Sequence, residues 1–391
     1  MVAFVDISGA ERLSMGKALN GAQRVARVKL MGSSGPIPPR PMLWPCAGEI
    51  LNGMHDLPDV VAPEIDLVVV HRALAGGSGA QLKLDDAYVH ADEAYPRYIR
   101  YRYEHDIAAD AWRFDVPARK RLDRAFVITH YNYVWGHWLT EMYPKLFLIR
   151  ALLAAGVVAP LLLPVTAPGY VARIARELVP DLEIVTYYPR DEAVEIGTVL
   201  LPHMLSQDYY FHDFLRWSLE REALAWPRGG TPDKVFVSRA GVRTDHAFRE
   251  MTNETEIEGI AEALGLTLVR PEALPWREQA RIFSRASVVA GEFGSGLHNA
   301  LLSPAGCQVV SLNWLVDVQS RIANFRRQDV GYILPADGRA RLHAEEQQSQ
   351  PFTIDPAAFR TRLAIAVERA EAKAALAGWE DGPATLPELT L

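Results

Sequence analysis

Cysteine is nearly missing from this chain: Cys46 and Cys307 are the only two in 391 residues, and they stand far apart. Neither a disulfide framework nor the paired-cysteine spacing of a zinc site is available, which leaves both as buried thiols. An excess of basic charge is missing as well. Lys and Arg total 41 against 48 Asp and Glu, a formal net charge of -7, so the chain lacks the electrostatic footprint of a nucleic-acid binder. No apolar run approaches the roughly 18 residues that span a membrane. The opening Met1-Val2-Ala3-Phe4-Val5-Asp6 has neither the basic start nor the apolar core of a signal peptide. The expectation is a cytoplasmic protein without a transmembrane segment. Internal repeats and long low-complexity tracts are also lacking.

What remains is globular material in quantity. A hydrophobic fraction of 49% with 23% charged residues is ordinary for a packed chain, and the length implies two domains. Their boundary is placed at Trp226-Pro227-Arg228-Gly229-Gly230-Thr231-Pro232, where two prolines and two glycines break the pattern. Residues 1–226 then form an N-terminal Rossmann-like domain. Its regular part alternates Ala125–Ile128, Leu161–Leu163, Ile184–Val185 and Val199–Leu201 as strands with helices over His137–Ala155 and Tyr170–Leu178. Roughly its first 110 residues read as a strand-rich decoration. Residues 233–350 form a C-terminal Rossmann-like domain, with strands at Lys234–Ser238, Leu266–Val269, Val288–Val289 and Gln308–Leu312 separated by helical stretches. Long crossovers of this kind join parallel strands, so the fold class is α/β with doubly wound sheets. Residues 356–378 carry apolar side chains at helical spacing and are expected as a long amphipathic helix that packs across the domains.

The densest signal lies where the strand-like run Ser287-Val288-Val289-Ala290-Gly291 empties into Glu292-Phe293-Gly294-Ser295-Gly296-Leu297-His298-Asn299. The glycines permit a sharp turn, and Leu297–Leu302 reads as a short helix whose free N–H groups suit a phosphate or diphosphate. The same pattern also serves as an ordinary strand-to-helix connection, and both readings stand. Because the loop lacks a complete Gly-x-Gly-x-x-Gly, a dinucleotide oxidoreductase is the weaker assignment.

Several pieces around this loop come in a recognisable order: Ser238-Arg239, Arg249, Asn253-Glu254, Pro271-Glu272, Gln279 and Gly291 to Asn299. Together with Tyr133-Val134-Trp135-Gly136-His137-Trp138-Leu139-Thr140-Glu141 upstream, they resemble glycosyltransferase family 61. The resemblance implies two Rossmann-like domains facing a cleft, the GT-B type of fold. It also implies inverting transfer of a sugar from a nucleotide-sugar donor to a saccharide or glycoconjugate acceptor, without an essential metal or further cofactor. Capsule or exopolysaccharide biosynthesis is the implied setting. Two positions depart from the family pattern: Phe293 stands where many members carry His, and Asn313 where an acidic residue often follows the last strand. These departures keep open a non-catalytic nucleotide- or glycan-binding relative acting as an assembly component.

Inverting transfer needs a general base for the acceptor hydroxyl and stabilisation of the departing nucleoside diphosphate. His137 and Glu141 are four apart and share a helix face, which makes His137 the base with Glu141 as its partner, or Glu141 the base itself. The plainer alternative is a helix-capping His with Glu141 solvated or paired with Lys145. Arg239, just after a strand, and Arg249, before a helix, suit a diphosphate; for Arg249 a local pairing with Asp245 or Glu250 is equally open. Glu272 either accepts hydrogen bonds from a ribose or caps the helix that follows Pro275. Asn253 and Glu254 read as a capped helix start, with Glu256 completing a capping box. Gly294, Ser295, Gly296, Leu297, His298 and Asn299 complete the donor site or stabilise their own turn. Tyr133, Trp135 and Trp138, beside Tyr131, either stack on an acceptor sugar or pack the core. His130 with His137 and Glu141 lacks the spacing of a zinc hydrolase, so no metal is assigned.

Overall fold

The computed structural model describes residues 4–45, 60–91, 94–95, 114–128, 133–207, 210–226, 230–240, 250–313, 317–338 and 350–377. Arg249, Asp245, His130, Tyr131, Cys46 and residues 227–229 of the expected boundary lie outside them. Two compact units divide the chain: Met1–Ile37 with Asp59–Glu222, and Pro38–Pro58 with Ala223–Leu391. The division therefore falls inside the helix Asp213–Ala225, and an N-terminal segment belongs to the second unit.

That second unit is built on a five-stranded sheet, all of whose pairings are parallel. In space the order runs Thr267–Val269, Lys234–Val237, Val288–Glu292, Gln308–Leu312, Asp329–Ile333, which is 2-1-3-4-5 counted along the chain. Three of these strands are buried at every position. Helices on both faces cover such a sheet, which is why its strands read as unbroken apolar runs rather than as alternation. The final helix, Pro356–Ala377, buries Phe359, Leu363, Ala366 and Ala370 in the second unit's core, where the Phe359 ring meets Phe236 edge-on at 6.1 Å. The fifth strand and the helix Val318–Arg326 before it are additions to the sequence reading.

Residues 38–45 attach to that fifth strand. Leu43 N–H donates to the Val330 carbonyl at 2.9 Å, Trp44 Nε1 to the Tyr332 carbonyl at 2.9 Å, and Arg40 pairs with Asp329 at 2.7 Å. Glycine is required at position 331 by this docking, since a Cβ there would stand 2.5 Å from the Trp44 ring.

The first unit differs more from expectation. Nine of its strands form one mixed sheet, ordered Phe4–Asp6, Ala87–His90, Gln81–Leu84, Ile65–Gly76, Ala193–Pro202, Ala118–Phe126, Leu161–Pro164, Ile184–Tyr187, with Val25–Met31 also on Ile65–Gly76. The last four strands pair in parallel, as an α/β reading expects. The early strands are no decoration, however. Ile65–Gly76 is twelve residues of almost continuous burial, and such a strand must be paired along both edges; Ala193–Pro202 takes one edge antiparallel, Val25–Met31 and Gln81–Leu84 the other. The unit is thus half antiparallel rather than Rossmann-like throughout. Among the described residues no helix is long and apolar enough to cross a membrane.

Trp44 tests the docking of the N-terminal segment. Trp44→Ala removes a buried indole and its hydrogen bond, so denaturant unfolding should show a loss of about 3 kcal/mol; a loss below about 1 kcal/mol would show that the segment is not part of the unit's core.

Candidate active site

The expected helix over His137–Ala155 has a break in it. Trp135–His137 is α-helical, Trp138–Met142 is a π turn, and Tyr143–Ala154 returns to α geometry. Pro144 explains the widening. It has no N–H for the Thr140 carbonyl four residues back, and its ring would strike that carbonyl in α geometry. The ladder instead reaches five residues, from Tyr143 N–H to the Trp138 carbonyl. Ser206 Oγ donates to the Thr140 carbonyl, and Thr140 Oγ1 donates to the Gly136 carbonyl at 2.9 Å.

His137 and Glu141 lie across this turn. The imidazole Nδ1 is 2.8 Å from Glu141 Oε1, with the His side chain 28% exposed and the carboxylate 6%. An ionised carboxylate only accepts, so Nδ1 carries the proton and Nε2 is left with the lone pair when the ring is neutral. Burial alone pushes the imidazole pKa down, but the charge and hydrogen bond of Glu141 more than offset it and hold the pKa above its ordinary 6.5. One turn on, Lys145 is buried and donates from Nζ to the Ala94 carbonyl at 2.6 Å. Burial pulls its pKa down to about 7, against the opposing charge of Glu141. The alternative of a solvated Glu141 is not what the structure holds.

The neighbouring aromatics separate. Trp138 is fully buried and packs the core, edge-on to Tyr170 at 5.9 Å, so it cannot offer a ring face to a sugar. Trp135 and Tyr133 are half-buried; Trp135 meets Tyr170 at 5.3 Å, Tyr133 Oη donates to the Ser78 carbonyl at 3.0 Å, and Tyr170 Oη donates to the Tyr133 carbonyl.

In the second unit, parallel register places the carboxyl ends of three strands side by side, with Val237 opposite both Val269 and Gly291. In a 2-1-3-4-5 sheet the order reverses between the first and third strands, and ligands bind at that switch. Arg239 follows the first strand and Glu292 ends the third; Arg239 Nη1 is 3.1 Å from Glu292 Oε1, with Glu292 only 5% exposed. Arg239 N–H donates to Glu254 Oε1 at 3.1 Å, so Glu254 fixes the backbone that carries the guanidinium.

The glycine loop shows why its residues are small. A Cβ at Gly291 would stand 2.8 Å from the Val237 carbonyl oxygen, and one at Gly296 3.0 Å from Val237 Cγ1. Leu297–Leu302 is a six-residue 3₁₀ helix whose first N–H groups turn back on the loop: Leu297 and His298 donate to the Gly294 carbonyl, Asn299 to that of Gly296. The expected set of free helix-start donors is therefore absent at these three residues. Asn299 Nδ2 donates to the Gly296 carbonyl at 3.0 Å, and Ser295 is half-buried. Phe293 is buried and meets the His298 ring edge-on at 5.8 Å. Asn313 has φ 75°, a left-handed conformation that Asn and Asp tolerate better than most residues.

Other motif residues hold the frame. The expected capping box does not form: Asn253 makes no side-chain cap and clamps Ile354 instead, with Nδ2 donating to its carbonyl at 2.8 Å and Oδ1 accepting from its N–H at 3.1 Å. Gln279 Nε2 donates to the carbonyls of Pro271 at 2.7 Å and Leu274 at 3.0 Å, which fixes the turn carrying Glu272. Glu272 itself is exposed, and the helix Trp276–Phe283 has no side-chain cap, so Glu272 does not serve as one. Among the described residues no three His, Cys, Asp or Glu side chains converge as a metal site requires.

Residues 135–310 match the family model described as Glycosyltransferase 61. The match covers a little under half of the chain, spans the His137–Glu141 and Arg239–Glu292 pairs and the glycine loop, and supports glycosyltransferase activity. No curated protein matches the chain.

A raised folded pKa at His137 stabilises the fold fully below the unfolded value of 6.5, and the contribution is lost as pH rises through the folded value. Glu141→Gln removes the cause and leaves the burial, so the His137 titration followed by NMR should move to below 6.5, and the decline of stability above neutral pH should diminish. An unmoved titration would separate the two side chains in solution.

Proposed function

We propose that the chain is an inverting glycosyltransferase that moves a sugar from a nucleotide-sugar donor to a saccharide or glycoconjugate acceptor, in the cytoplasm and in capsule or exopolysaccharide synthesis. The observation that carries this reading is the 2.8 Å His137–Glu141 pair, half-open to solvent on the imidazole side, within the segment that matches the family. The GT-B class of fold and independence from metal belong to the same proposal.

In this mechanism His137 Nε2 takes the proton of the acceptor hydroxyl while Glu141 steadies the imidazolium that forms. The acceptor oxygen attacks the anomeric carbon from the face opposite the leaving group, which inverts the configuration. The bond to the phosphate oxygen breaks, and its electron pair leaves with the nucleoside diphosphate. Arg239 stabilises that charge as it develops, exchanging part of its bond to Glu292 for phosphate oxygens. In this proposal Arg249, Ser295, His298 and Asn299 serve the donor diphosphate, Glu272 the ribose, and Tyr133 and Trp135 the acceptor. A second reading, binding without turnover, draws on Phe293, whose buried ring fills a position that in many relatives of the family pattern belongs to His.

The test is a panel of UDP, GDP and CMP nucleotides and their sugars, scored by thermal shift and by slow hydrolysis of the donor. One series should stabilise the protein, by about 2.7 kcal/mol at about a hundred times its dissociation constant, and Arg239→Ala should abolish the shift. His137→Ala should keep the shift and lower hydrolysis by about 10²- to 10⁴-fold. A shift without hydrolysis in the wild type would favour the binding module, and unchanged hydrolysis in His137→Ala would remove His137 as the base.

A further inference from the structure

A carboxamide in the second unit is buried with all of its hydrogen-bonding capacity unused. Gln319 is 0% exposed, and neither its Nε2 nor its Oε1 has a partner. Burying an amide in that state destabilises a fold, so a chain that keeps one needs a reason for it. Its place in the fold supplies one. Gln319 is the second residue of the helix Val318–Arg326, which leaves the carboxyl end of the strand Gln308–Leu312. The 3₁₀ helix Leu297–Leu302 leaves the same end of the parallel neighbour Val288–Glu292. These two helices pack together and finish side by side, where Arg326 Nε and Nη2 donate to the Ser303 carbonyl at 3.2 and 2.9 Å. Gln319 stands seven residues before Arg326, on the same face and about 10 Å back along the axis. The 3₁₀ helix itself rises about 12 Å, so Gln319 is level with its start at Gly296 and Leu297. Ser320, about 100° round the helix, turns instead to the fifth strand, its Oγ 2.7 Å from Tyr332 Oη. Because helical side chains lean toward the N-terminus of their helix, the carboxamide points to the strand ends that carry Glu292 and Arg239.

The chemistry of the unpaired group narrows what could complete it. A phosphate only accepts, so it would bond Nε2 and leave Oε1 unpaired beside negative charge. The helix start also carries the carboxylate of Asp317, which pairs with Arg321 Nε at 2.7 Å and makes no cap. A nucleobase edge differs, because it presents a donor and an acceptor side by side and pairs with both ends of a carboxamide at once. We propose that Gln319 reads the base of the donor nucleotide through two such hydrogen bonds. The proposal rests on the reading of the second unit as a nucleotide-sugar site and adds to it the residue that selects the base. A base reaches the closed side chain through a local opening of the first helical turn, which is where helices fray most readily.

Gln319→Met is the decisive variant, since it keeps the length of the side chain and removes both polar atoms. The free protein should melt no lower than the wild type, because an unsatisfied amide gives way to an apolar group of similar shape. Affinity for the nucleotide that the wild type binds, measured by calorimetry with UDP, GDP and CMP, should fall about ten-fold or more. Inorganic diphosphate, which has no base, should bind both proteins equally. If Gln319→Met fails to fold, the wild type decides: its Gln319 side-chain NH₂ resonances should shift on adding that nucleotide and stay in place with inorganic diphosphate. Equal nucleotide affinity in the two proteins, an equal loss toward inorganic diphosphate, or NH₂ resonances unmoved by nucleotide would overturn the assignment while the donor reading stands. A wild type that binds no nucleotide would fail the donor reading, and this assignment with it.

Discussion

The N–H that Pro144 does not have shapes the helix that carries His137 and Glu141. Without that donor the α ladder cannot close on Thr140, and the turn Trp138–Met142, which includes Glu141, opens to the π spacing. A π turn is costly unless its loosened groups find partners, and here Ser206 and the Thr140 hydroxyl provide them. The helix that follows is anchored along its length by buried Leu146, Phe147, Ile149 and Leu152. The irregular turn is therefore held between rigid neighbours, and its geometry is set by packing rather than by the pair of side chains it displays. A hydrogen-bonded His–Glu pair can then stay partly buried without having to organise itself.

The second unit solves a different problem, close approach of backbones at a strand end. Val237 is the surface against which Gly291 and Gly296 lie, and any larger residue at 291 would meet its carbonyl. That contact brings the end of the third strand beside the end of the first, and the Arg239–Glu292 pair is its consequence. Several residues that look like binding groups on paper spend their polar atoms on this frame. Glu254 holds the Arg239 backbone, Gln279 the Glu272 turn, and Asn253 the segment at Ile354. The Arg239–Glu292 pair thus sits on a heavily braced support.

Legibility in the sequence followed the physics of each part. The parallel sheet of the second unit was readable because strands buried on both faces are unbroken apolar runs, and four of its five strands stand where the alternation places them. The fifth was missed because Asp329-Val330-Gly331-Tyr332-Ile333 is interrupted by a glycine whose reason, the Trp44 ring, lies almost three hundred residues away. The long strand Ile65–Gly76 was hidden for a related cause: its antiparallel partners come from both earlier and later in the chain, and local periodicity carries no trace of them. The His137–Glu141 pairing was legible from the four-residue spacing taken together with the family resemblance. Pro144 was the visible signal of the π turn, since a proline inside a helical pattern must be accommodated somehow. Lys145 and Glu292 gave no comparable sign, because burial of a charged side chain is a property of the tertiary fold. The aromatic cluster could be named but not sorted, and only packing separates the buried Trp138 from the half-open Trp135.

The most direct test of this account is a crystal structure of the Pro144→Ala variant. With an N–H restored at position 144, the turn should close to α geometry and the Thr140 carbonyl should accept from it in place of Ser206 Oγ. A π turn that persists would contradict the claim that the proline sets it, and would shift its cause to the surrounding core.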